Sequence, residues 1–255
     1  MKHKPVLITA LACSLFLISL SASLASDLGN TIKDVAGSLM NTSQEEPASS
    51  VSSGDNDKTV LGLKEALVVG IQNAVKKAGT ENGFYGNDAI KIMLPEKLQK
   101  VDSFIRQAGG EQLSDALIKK MNQAAEKSVP QALDIFSKGI QDMKIDDALT
   151  LLSGKENAAT KYLEDTTSES LKSSFYPVIK TTMEELGAVK LYNDYIGKYE
   201  SNPLMKIAGL EVDINKYVTD KSVDGLFLMV AEEEGNIRKN PEARVTDLLK
   251  DVFGK

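Results

Sequence analysis

The chain has 255 residues, with 30 basic and 36 acidic side chains, one histidine, one cysteine and no tryptophan. A net charge of −6, only three arginines (Arg106, Arg238 and Arg244) and no long basic block argue against nucleic acid or an anionic membrane surface as a partner. The histidine is His3 and the cysteine is Cys13, so the chemistry open to the protein depends on the fate of its first residues.

Those residues read as a leader. Lys2 and Lys4 open the chain, an uncharged and mostly apolar run extends from Pro5 to Leu20, and Ser23-Leu24-Ala25 puts small residues at positions −3 and −1 of a cleavage site. That order predicts a secretory signal peptide over 1–25, cut after Ala25, and a periplasmic destination. The apolar run is short for a membrane span, which needs roughly twenty residues. A lipoprotein anchored at Cys13 is the alternative. Against it, Ala10 stands where a lipobox has a large aliphatic residue, and apolar residues continue beyond the cysteine.

Without the leader, 28 basic residues face 36 acidic ones, a net of −8, and neither His nor Cys remains. This excludes a Ser-His-Asp triad, a cysteine nucleophile, a thiol redox pair, a disulfide and a conventional zinc site. Acid–base work falls to carboxylates, Lys or Tyr, and metal binding to oxygen ligands suited to calcium or magnesium. No cofactor is expected.

In chain order, Leu28, Ile32, Val35 and Leu39 recur at helical spacing, and 41–58 (NTSQEEPASSVSSGDNDK) reads as a flexible linker. Residues 26–58 thus precede a helical domain over 59–255. Leu63, Leu67, Ile71 and Val75 make one helix face that ends at Gly79. Pro95 opens the next helix, with Leu98, Val101 and Ile105 on one side and Gly109-Gly110 as the stop. Leu113, Leu117, Met121 and Ala124 follow, then a helix opened by Pro130 with Leu133, Phe136 and Ile140, then a short one over Ile145–Leu152.

Thr166 and Glu169 form a capping box that predicts a helix start. The face behind it is Leu171, Phe175, Val178, Thr182 and Leu186, with Pro177 expected to kink this helix rather than end it. Asn240-Pro241-Glu242 opens a last helix carrying Val245, Leu248, Leu249 and Val252. Only IKIML (90–94) and LEVDI (210–214) alternate like strands, enough for a minor two-stranded element at most. LKEALVVGIQNAVKK (63–77) and LSDALIKKMNQAAEK (113–127) share a pattern that reads as common amphipathic spacing rather than a repeat unit. The fold class is predominantly α, a single multi-helix domain.

Three stretches are candidates for function. In DGLFLMVAEEEGNIRKNP (224–241), Val223, Leu226, Phe227, Val230 and Ile237 share a helix face that Leu228 and Met229 widen, so the helix is expected to be central and apolar most of the way round. Glu232, Glu233 and Glu234 spread over nearly a full turn, so they do not converge on one ion and are expected to be solvated. Glu234 and Arg238 make a favourable exposed pair at i, i+4. Tyr192, Tyr195 and Tyr199 form a tyrosine stripe, either a ligand or partner surface or a half-buried packing face. Phe84 and Tyr85, between Gly83 and Gly86, are either a binding tip or a lid folded back on the core. Neighbouring acids such as Asp146-Asp147 and Glu184-Glu185 do not face each other on a helix, and nothing forms a catalytic acid–base constellation.

GLKEAL (62–67), IKIMLPEKL (90–98), MNQAAEKSVPQAL (121–133), SFYPVIK (174–180) and DGLFLMVAEEEGNIRKNP (224–241) together resemble a bacterial family of exported helical proteins known only as a domain of unknown function. Met93 departs from the proline expected in an Ile-Pro-Leu-Pro type of segment. The resemblance implies export and a helical fold, and no activity or site. The expected function is a non-enzymatic exported domain binding a partner protein or an apolar small molecule at Phe84, Tyr85, Tyr192, Tyr195 or Tyr199. The alternative is a carboxylate-based hydrolase or lyase using calcium or magnesium.

Overall fold

The computed structural model describes residues 53–200 and 212–239, with side chains placed for 56–99, 101–197 and 212–239. The expected signal peptide, the 28–39 stretch, the helix expected from Pro241 and most of the expected linker lie outside the described residues. The helices are α1 (Ser53–Ala78), α2 (Glu96–Gln107), α3 (Glu111–Ser128), α4 (Ala132–Gln141), α5 (Ile145–Leu152), α6 (Ala158–Glu185), α7 (Ala188–Glu200) and α8 (Ile214–Lys239). A 3-10 turn, Val129–Gln131, carries Pro130 between α3 and α4.

Helical periodicity translates directly into burial. Leu63, Leu67, Ile71 and Val75 of α1, Leu98, Val101 and Ile105 of α2, and Leu117, Met121 and Ala124 of α3 are all buried. The central layer is α8, which packs against α6 on one side and α1 on another, while α6 also packs on α3 and α1 on α4. At its middle, the Phe227 ring meets Phe136 of α4 edge to face, with centroids 5.6 Å apart and planes at 81°.

Four expectations need correction. The polar residues 53–58, expected as linker, form the first turns of α1, where Asp suits the positive end of the helix dipole. No helix starts at Thr166: α6 begins at Ala158, and the Thr166 hydroxyl donates to the Tyr162 carbonyl one turn back, a mid-helix arrangement. That helix runs through Pro177 without ending.

No strand occurs among the described residues. In the stretch 90–94, Ile90, Ile92 and Leu94 are buried and Met93 is half-exposed, so the alternation is real, but no strand among the described residues pairs with it. Of 210–214, Val212 and Asp213 are irregular, Ile214 opens α8, and 210–211 lie outside the described residues.

The fourth correction concerns α8 itself. Met229 widens the buried face as expected, but Leu228 is 49 % exposed and does not. Glu233 and Glu234 are each only 6 % exposed, so the acidic end is not solvated. Glu232 alone stays in water.

Candidate binding groove

The connection from Gly79 to Pro95 is irregular backbone laid over the helices, and α3 holds it at two points one turn apart. The buried Glu126 carboxylate accepts the backbone N–H groups of Phe84 and Tyr85 through Oε1, each at 3.1 Å. Asn122 accepts the Ile92 N–H at 2.8 Å and donates to the Ile92 carbonyl at 2.9 Å. Buried backbone groups without regular structure need such partners, and here side chains of one helix face supply them. Asn82, at φ 60°, turns the chain into this loop.

The clamp drives Phe84 into the core, where it is fully buried. Its ring lies under α8 at Gly225, where an added Cβ would stand 2.8 Å from Phe84 Cε1 and 3.1 Å from Ile90 Cβ. Gly225 therefore sits mid-helix, a position that disfavours glycine, because the loop passes too close for a side chain. Tyr85 is half-buried, with the Lys91 ammonium 4.2 Å above its ring centre.

Between this loop and α8 runs a shallow groove of about 280 Å³, walled by Ile90 and Met93 on one side and Tyr217, Lys221, Asp224 and Leu228 on the other. Met93 and Leu228, 50 % and 49 % exposed, are two of the largest apolar surfaces on the described chain. The Tyr217 hydroxyl donates to the Met93 carbonyl at 2.9 Å, and burial pushes this phenol's pKa above its ordinary value. Lys221 pairs with Asp224 at 3.1 Å, and that hydrogen bond raises the lysine's pKa.

The acidic end of α8 is a latch between helices. Asn157 sits at the N-cap of α6 without capping it through its side chain. Glu234 does so instead, accepting from the Ala159 N–H at 3.2 Å, the Thr160 N–H at 2.8 Å and the Thr160 hydroxyl at 2.7 Å. A carboxylate at a helix N-terminus is favoured by the dipole as well as by the bonds. Arg238 pairs with Glu234 at 2.8 Å and donates to the Leu151 carbonyl at 3.0 Å, at the C-terminus of α5. Glu233 points elsewhere, to Lys77 and Asn73 of α1, and the hydrogen bond raises the Lys77 pKa.

Two lysines close helix ends as Arg238 does. Lys64 donates to the Gln141 carbonyl ending α4, and Lys120 donates to the Leu186 carbonyl just past α6. Among the described residues no three acids cluster where they would hold a metal ion.

The tyrosine stripe does not join the groove. Tyr195 is fully buried and donates to the Leu98 carbonyl at 3.3 Å; burial, and then the Asp102 charge, push its pKa upward. Tyr192 is half-buried and both donates to the Val212 carbonyl and accepts the Val212 N–H. The side chain of Tyr199, in the last turn of α7, lies outside the described residues.

Of the residues singled out in the sequence, Phe84 forms the floor beneath Gly225 and Tyr85 carries Lys91. Met93, Tyr217, Lys221, Asp224 and Leu228 were not singled out as a site. One signal pointed that way, Met93 as the departure in its segment; Leu228 was read as widening the buried face of α8.

Fold and site together define a class: an all-helical single domain with a loop clamped over its central helix and a shallow, partly apolar surface groove. None of its described helices is long and apolar enough to cross a membrane. The chain belongs to the family described as protein of unknown function (DUF4197), whose model matches residues 53–254. No curated protein and no solved structure matches it.

Proposed function

We propose that this domain is a non-enzymatic binding module, working after export, and that its binding site is the groove between the Ile90–Met93 segment and α8. The observation that carries the reading is the pair of half-exposed apolar side chains, Met93 and Leu228, from separate segments of the chain, both lining a groove whose size lies near the lower end of ligand sites. Binding is favoured over carboxylate catalysis because, among the described residues, Asp224 is the groove's one lining acid and it is tied to Lys221. Export is supported by the residue order of 1–25.

The test is a methyl-resolved NMR titration of the full-length protein with a set of small apolar fragments. Shifts are expected to cluster at the methyls of Met93 and Leu228 and to vanish in Leu228→Glu. Shifts concentrated elsewhere, or none at millimolar fragment, would overturn the assignment.

A further inference from the structure

The groove wall contains an extended stretch of backbone whose edge no described strand covers. Asn122 takes both backbone groups of Ile92, occupying with a side-chain amide the place of one neighbouring strand. Among the described residues no peptide bond is cis, and a planar trans peptide points its C=O and N–H in opposite directions. The Lys91 carbonyl and the Met93 N–H therefore point away from Asn122. Tyr217, on the groove wall, bonds to the Met93 carbonyl, which marks that opposite edge as the groove side.

Among the described residues neither the Lys91 carbonyl nor the Met93 N–H has a hydrogen-bond partner. One acceptor and one donor flanking a single residue is what a strand edge offers to an added chain. Charge points the same way. Asp224 is neutralised by Lys221, whereas the Lys91 ammonium rests on the Tyr85 ring with no carboxylate in salt-bridge range among the described residues. Among the described residues the groove thus carries a cation, Lys91, with no carboxylate paired to it, on a chain of net charge −6.

We propose that the groove receives a partner polypeptide in extended conformation, paired with the edge of Lys91–Met93. An aliphatic side chain of the partner lies between Met93 and Leu228, and an acidic one meets Lys91. This inference rests on the groove being the binding site, and names the ligand class for it.

The probe is a blocked, fluorescein-labelled octapeptide of threonines with leucine-aspartate at its centre, titrated by anisotropy into the full-length protein. Saturable binding is expected, weakened at least tenfold by Leu228→Glu and by N-methylation of one central amide. Lys91→Glu should weaken it similarly, with affinity regained when the probe's aspartate is replaced by lysine.

If methylation at every amide leaves affinity unchanged while Leu228→Glu abolishes it, the groove binds but not by strand addition, and the inference falls alone. No saturable binding of the probe, with apolar fragments still shifting Met93 and Leu228, has the same meaning. Probe binding indifferent to Leu228→Glu would overturn both readings.

Discussion

Glu234 and Glu232 are two residues apart on one helix and live in different physics. Glu232 is solvated, whereas Glu234 is buried against the first turn of α6 and paired with an arginine whose side chain is 15 % exposed. Glu234→Gln keeps the shape but replaces one acceptor oxygen by a donor, which must oppose either the α6 amides or Arg238. Breaking a buried, hydrogen-bonded pair is strongly unfavourable, so a loss of about 3 kcal/mol is expected in urea unfolding. Glu232→Gln should stay within about 0.5 kcal/mol. Equal midpoints for the two variants would show that the latch contributes nothing.

Lys64 makes the converse case. Its burial disfavours the ammonium and lowers its pKa from 10.5, with Asp142 opposing the shift. Between the lowered folded value and 10.5 the unfolded chain holds a proton that the folded one has released, so stability from this group rises with pH in that window. Below it the burial penalty is fully present; above 10.5 it is gone. Lys64→Met removes both the penalty and the bond to Gln141, and should change neutral-pH stability by less than about 1 kcal/mol. The diagnostic is the difference between wild type and variant, which should move in favour of wild type as pH climbs toward 10.5. A difference independent of pH would show that Lys64 is not desolvated.

At the scale of elements, one side of α8 is core and the other is groove. Phe227 sits edge-on to Phe136 and is nearly buried, while the next residue, Leu228, is half in water. Phe227→Ala should cost about 3–5 kcal/mol through lost burial and the cavity left behind. Leu228→Ala should lie within about 0.5 kcal/mol, since little around it depends on the side chain. Chemical denaturation of both beside wild type checks the contrast, and a large loss at Leu228 would mean that this face packs against something in the folded chain. Helix ends obey the same logic of neighbours: α4, α5 and α6 each end or begin on a charge supplied by another helix. None of these caps is a local sequence signal. That is why the capping box at Thr166 misplaced the start of α6, and why the helix starts at Ala158, where Glu234 meets it.

For the molecule as a whole, the export we propose rests on the residue order of 1–25. Intact-mass measurement of protein recovered from an exporting host should give a chain beginning at Ser26. An N-terminal lipid-modified Cys13 would instead establish the anchored alternative.

Read alone, the amino-acid sequence determined the helical class, most helix positions and the buried faces, because a repeat of 3.6 residues is written locally and any apolar face must find cover. The bounds of α5, Ile145–Leu152, and the buried faces of α1, α2 and α3 follow from spacing alone. Alternation in 90–94 likewise told which side chains turn inward. It did not tell that an asparagine would stand in for the second strand. Only the tertiary structure decided which polar residues are buried and what they hold, because that depends on which chain segment arrives opposite them. Glu234 lies 75 residues from Ala159, and Glu126 lies 42 from Phe84. The groove is of the same kind: Met93 and Leu228 come from distant segments, and only packing of the loop over Gly225 makes them two walls of one site.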